Sequence, residues 1–319
     1  MKTTLSMKLL HTLQRGKDRL GKESFRRISR FVDSQRTDED SFRDKSGKAD
    51  LYYTLFGWIL SYVLGIGPDR KKMAAYLAQQ DADSPDLIRY AAYIRCRMIE
   101  LLMNKRKAGL LMHSLFSTKI KALHDFSGLP HDDPQSPYTQ FIRLSLLEDT
   151  GNRYRNSRWA GVVSKFKTGG SPSVRDSKTD DGTVNKKDIL ESLERYRVKG
   201  GGFGNMRNAT AATTNATVAA LAVKGQLAGY TENEDVRYLR DLQEPSGGFG
   251  AVKDSPVPDL LSTATALFML SCYGIRPKYA AGDFIEAHWL DSGGFSATLL
   301  EEESDVEYTF YGILSLGAI

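Results

Sequence analysis

Two long apolar stretches of this chain are spelled nearly alike. DLYYTLFGWILSYVLG begins at Asp50, and DVEYTFYGILSLGAI begins at Asp305. In each, an aspartate stands just before a run whose hydrophobic residues cover nearly every face of a 3.6-residue helix, which predicts a buried helix opened by its own cap. Other segments carry the opposite pattern, with one apolar stripe and one wet face: TENEDVRYLRDLQ from Thr231 and RPKYAAGDFIEAHWL from Arg276. The two kinds alternate along the chain. Each amphipathic segment with the apolar one after it reads as a helical hairpin, and the fold class as all-α.

The hairpins repeat. Phe203 and Phe249, both in GGFG, and Phe295 in GGF are spaced 46 residues apart. Ten residues after each stands a marked position, Thr213, Asp259 or Asp305, and four further on a threonine, Thr217, Thr263 or Thr309. Ser41 and Phe42, Asp50 and Thr54 form a looser copy. The Gly-Gly turn permits positive φ, and the aromatic packs it against a neighbour. Counting such units gives six hairpins: 20–65, 68–103, 104–147, 185–229, 230–274 and 275–319, the second and third having lost the glycine turn. A hairpin with a wholly apolar helix cannot stand alone, so the units must stack. An open stack needs polar, atypical end units, whereas here the first and last units are the best-matched pair. That favours a closed ring with the apolar helices inside. We read residues 1–319 as one domain, with a flexible insertion at about 168–187, where GGSPSVRDSKTDDGTVNKK has too little apolar surface to order itself.

Composition narrows the choice of function. The formal charge of +5 in 319 residues is mild and its basic runs suit solvated helix faces, so no nucleic-acid partner is expected. Residues 51–67 carry no charge and approach the length of a membrane span, but their pattern recurs elsewhere with polar residues, which favours a core helix and at most peripheral membrane contact. Cys96 and Cys272 have no metal-ligand or CxxC spacing and read as buried reduced thiols. MKTTLSMKLLHTLQRGKDR lacks the core and cleavage site of a signal peptide, which points to a cytoplasmic protein, with membrane association left open.

The GGFG turn, the aspartate and a following SxTATAL or YTFYG together resemble the prenyltransferase and squalene-oxidase repeat. This repeat occurs in protein prenyltransferase β-subunits and in class II terpene cyclases. The resemblance is strong over 200–319, fair over 41–65 and weak between. It implies an α/α toroid (α6/α6 barrel) whose central aromatic funnel holds an isoprenoid chain. In the prenyltransferases zinc is held by an aspartate, a cysteine two residues on, and a histidine in the next repeat. The matching positions here are Asp259, Leu261 and Tyr308, so zinc is not expected. Mg²⁺ would come only with a diphosphate substrate.

Class II cyclases protonate an alkene with the middle acid of DxDDT, and this chain has Asp305-Val306-Glu307-Tyr308-Thr309. The resemblance therefore nominates Glu307 as the acid and Asp305 as the carboxylate that raises its pKa, against the alternative that both are helix caps or dipole partners. For substrate binding the candidates are Asp259, Lys253 and Arg207 at the rim, and Tyr308, Tyr311, Tyr52, Tyr53 and Phe56 in the funnel. Lys199, Arg43, Lys45 and Lys48 also flank the turns. Three functions stay open: an isoprenoid-handling enzyme, prenyltransferase-like or cyclase-like; a catalytically inactive toroid acting as a lipid-binding or assembly subunit; and a scaffold with a peptide groove. The β-subunit likeness also allows a protein partner subunit.

Overall fold

The computed structural model describes residues 3–82, 84–103, 135–149 and 186–319. Among them are twelve α-helices and one two-stranded ribbon, Phe42–Arg43 with Ala49–Asp50. Six helices form an inner ring: α3 (Leu51–Leu64), α5 (Leu87–Met103), α6 (Pro137–Asp149), α8 (Thr214–Ala228), α10 (Leu260–Cys272) and α12 (Val306–Ala318). Each packs on the next in that order, and α12 packs back on α3, so the ring closes. Around it lie α2 (Lys22–Ser34), α4 (Arg70–Ala78), α7 (Lys186–Glu194), α9 (Glu234–Asp241) and α11 (Gly282–Ala287). The first limb of the third hairpin and the insertion expected at about 168–187, apart from its last two residues, lie outside the described residues.

The repeated residues build one device four times. Gly201, Gly247 and Gly293 all have positive φ, between 94° and 115°, and each turn feeds its phenylalanine inward. Phe42, Phe203, Phe249 and Phe295 are at most 2% exposed. The phenylalanine N–H donates to the threonine hydroxyl of the next inner helix, at 2.9 Å from Phe42 to Thr54, 3.0 Å from Phe203 to Thr217, 2.9 Å from Phe249 to Thr263 and 3.2 Å from Phe295 to Thr309. That hydroxyl donates in turn to the carbonyl of the capping residue one turn back, at 2.6 to 2.8 Å. A buried amide that would otherwise lack a partner is thereby satisfied. Three residues past each threonine the helix carries only Gly57, Ala220, Ala266 or Gly312. A Cβ at Gly57 or Gly312 would run into the ring of Phe42 or Phe295.

The inner helices share one polarity. Asp50, Asp86, Ser136, Thr213, Asp259 and Asp305 cap their first turns through side-chain oxygens. The opposite end is floored by α1 (Leu5–Asp18), which packs against α3, α6, α10 and α12. Gly16 and Gly317 let α1 and α12 cross with their backbones in contact, where any side chain would strike a carbonyl of the other helix.

Two expectations change. RPKYAAGDFIEAHWL yields only the six-residue α11, because Gln243 holds both the N–H and the carbonyl of Tyr279 and keeps the preceding stretch out of helix. Both cysteines are free and Cys96 is buried, but Cys272 is only partly so, at the end of α10 where Lys8 and Arg15 of α1 come near. The uncharged run at 51–67 is core helix α3, and no helix among the described residues is long and apolar enough to cross a membrane.

Candidate functional site

Packing six helices around an axis leaves their inward side chains facing one another. Here they enclose a cavity of about 570 Å³, lined by residues of all six inner helices and of α1. Its walls are chiefly apolar, among them Phe56 and Ile59 of α3, Phe141 of α6, Val218 of α8, Phe268 of α10 and Phe310 of α12. Leu5, Leu9 and Leu10 of α1 supply the floor.

The seam between the first and last units carries most of the nominated residues. Tyr52, Phe56 and Tyr311 line the cavity. Tyr52 meets Phe56 edge to face with ring centroids 4.9 Å apart, and Phe56 meets Phe310 in the same way at 5.0 Å. The Tyr52 hydroxyl donates to Glu307 Oε1 at 2.7 Å, so Glu307 stands one side chain behind the wall. Burial pushes the Glu307 carboxyl up, the Tyr52 hydrogen bond opposes this, and the charge of Asp305 adds to the rise. Burial, with the facing Glu307 carboxylate, holds Tyr52 and Tyr311 protonated.

Asp305 caps α12 by accepting from Tyr308 N–H at 2.8 Å, and burial raises its pKa as well. Lys45 reaches over this group, with Nζ 3.9 Å from Asp305 Oδ2 and 5.4 Å from the Tyr308 ring centre. Tyr53 and Tyr308 feel the same two carboxylates but stand outside the described cavity lining.

The remaining candidates sit apart. Asp259 caps α10 through Ser262 N–H at 2.7 Å, with its pKa pushed up by burial. Its two companions do not fit Zn²⁺: Leu261 lines the cavity and offers no donor atom, and burial keeps the Tyr308 phenol protonated. Among the described residues no three His, Cys, Asp or Glu side chains converge. Lys253 and Arg207 are exposed on the loops before α10 and α8, with Arg207 3.4 Å from Gln135 Oε1.

Sequence reasoning missed several wall residues. Tyr138 and Phe141 belong to the hairpin without a glycine turn. Asn215 accepts a 3.0 Å hydrogen bond from Thr265 across the α8/α10 wall. Arg95 and Asp149 bring a charged pair into the lining. The available signal was weak, since Arg95 is one of four charged residues, with Arg89, Arg97 and Glu100, in LIRYAAYIRCRMIELL.

Residues 171–319 match the family model described as the prenyltransferase alpha-alpha toroid domain. With the closed ring of helices, that match places this part of the chain in the toroid superfamily of prenyltransferases and terpenoid cyclases. Comparison with curated proteins gives no match.

Proposed function

We propose that this protein is an isoprenoid-handling enzyme that holds a long apolar substrate in the central cavity, with Glu307 as its acid. The observation that carries the reading is the cavity itself, about 570 Å³ and within the usual range for a small-molecule site. Its aromatic wall at the α3/α12 seam would shelter a developing carbocation. When Glu307 carries a proton, its hydrogen bond with Tyr52 reverses. The Tyr52 proton is then free to pass to an alkene in the cavity, and Glu307 replaces it. The carboxylate left behind lies near Lys45, while Asp305 acts by keeping the Glu307 pKa high. A diphosphate, with Mg²⁺ if it brings one, would meet Lys45, Arg207 and Lys253 at the rim; no step is assigned to zinc.

One observation favours a second reading, a lipid-binding or assembly toroid without catalysis. Asp305 and Asp259 are both occupied as helix caps. Incubation with geranylgeranyl diphosphate or squalene, followed by mass spectrometry of products and of retained ligand, separates the two. Product from the native protein, lost in Glu307→Gln while ligand is still retained, supports the acid. Unchanged turnover in that variant rejects it, and retention without product leaves the binding role.

A further inference from the structure

The floor end of the cavity is not apolar throughout. Asp149 is the last residue of α6, and its side chain is only 3% exposed, while that of Arg95 is 25% exposed and lines the cavity. Arg95 Nε donates to Asp149 Oδ2 at 3.4 Å and Nη2 to Ser145 Oγ at 2.6 Å. Ser6, in the first turn of α1, also hydrogen-bonds the Asp149 side chain. All four residues belong to the lining.

A pair so placed is poor cement. Removing both charges from water costs more than their attraction returns unless every donor finds an acceptor. A guanidinium has five N–H groups, and this one uses Nε and a single Nη2 hydrogen. The two Nη1 hydrogens meet no partner among the described residues. Nη1 is reachable from the cavity, so a ligand that displaces water from it loses free energy unless it brings an acceptor of its own. The kind of acceptor follows from charge. Asp149 already balances Arg95, so an anion entering here would face the Asp149 carboxylate as well as the guanidinium, whereas a neutral oxygen would face no net charge.

We propose that the floor of the cavity is a subsite in which Arg95 Nη1 hydrogen-bonds a neutral oxygen, an alcohol, carbonyl or epoxide, on the buried end of the ligand. The preferred substrates are therefore oxygenated isoprenoid-class chains and not plain hydrocarbons. This inference rests on the reading of the cavity as a chain-binding site, and the experiment keeps the two apart.

Farnesol and farnesene share a fifteen-carbon skeleton and differ by the oxygen. Dissociation constants for both are to be measured by displacement of an apolar fluorescent dye, on the native protein, on Arg95→Lys, and on the double variant Arg95→Met with Asp149→Leu, which leaves no orphan charge. The native protein should prefer farnesol by about tenfold, the worth of one good hydrogen bond. Arg95→Lys should keep part of that preference and the double variant should lose it. Equal affinities in the native protein, which needs no variant to fold, overturn the subsite while the cavity reading stands. So does a preference that survives in the double variant. Binding of neither compound overturns the subsite and the cavity reading together.

Discussion

The wall built by α8, α10 and α12 and the wall built by α5 and α6 do the same architectural job with different residues. In the first, a phenylalanine is clasped by a threonine whose hydroxyl returns to the cap, unit after unit. In the second the sequence has no Gly-Gly-Phe motif ahead of either helix, and the wall carries Arg95, Ser145 and Asp149 where its counterpart is mostly apolar. What recurs in this molecule is scaffold, because each copy solves one packing problem. What occurs once is left over for chemistry. Glu307 belongs to the second kind: the corresponding residues two past the cap are Tyr52, Asn215 and Leu261.

The largest effect should come from the clasped ring. Phe249→Ala empties a fully buried site between turn and helix, and a loss of about 3–5 kcal/mol is expected in urea unfolding, with an unchanged m-value. A loss below about 1 kcal/mol would mean that the phenylalanine is not what joins turn to helix. Thr263→Val is nearly isosteric and tests the hydrogen bonds alone. It leaves the Phe249 amide buried without an acceptor, and should cost about 1–3 kcal/mol. Thr54→Val breaks the same pair of bonds at the other end of the chain and also the Thr54 hydrogen bond with Tyr76, so its cost should be at least that of Thr263→Val. A smaller cost would show that the first unit, whose turn lacks the double glycine, holds its phenylalanine differently.

How much of this was legible follows the same division. Ring closure could be read because α3 and α12 must fit each other and are therefore spelled alike, and the Glu307 to Tyr52 bond now crosses that seam. The threonine position was visible as a repeat, but its role was not, since the spacing cannot say that Phe N–H is the donor. The floor was not legible. Helix α1 has no sister segment, and its contact with α12 depends on two glycines, Gly16 and Gly317, 301 residues apart. Arg95 was not singled out because its partner, Asp149, is 54 residues away on the neighbouring helix α6 and outside the chain's repeat. The shared position before each inner helix made capping legible for Asp259, while Asp305 was set apart for chemistry by the acid beside it; in the structure both accept the N–H bonds of a cap.

The smallest expected effect bears most directly on the difference between scaffold and chemistry. Burial raises the Glu307 pKa above the ordinary 4.5, so the native state binds its proton more tightly than the unfolded chain does. For an acid shifted this way, the associated stability is fully present below the unfolded pKa and is lost as pH rises through the folded one. Near pH 7 the ionised carboxylate is therefore a burden on the fold, as expected of a residue kept for reactivity. Glu307→Gln removes the charge, and its amide oxygen can still accept from Tyr52. The variant should melt at a higher temperature than the native protein at pH 7 to 8, and the gap should close as pH falls toward 4.5. Asp305→Asn is the control on the scaffold side: asparagine caps about as well as aspartate, so the helix start survives while the neighbouring charge is lost. In that background the Glu307 pKa should fall and the neutral-pH gain from Glu307→Gln should shrink. If Glu307→Gln instead melts lower at every pH, the carboxylate is one more structural ligand of the seam, and the last unit carries nothing that the others lack.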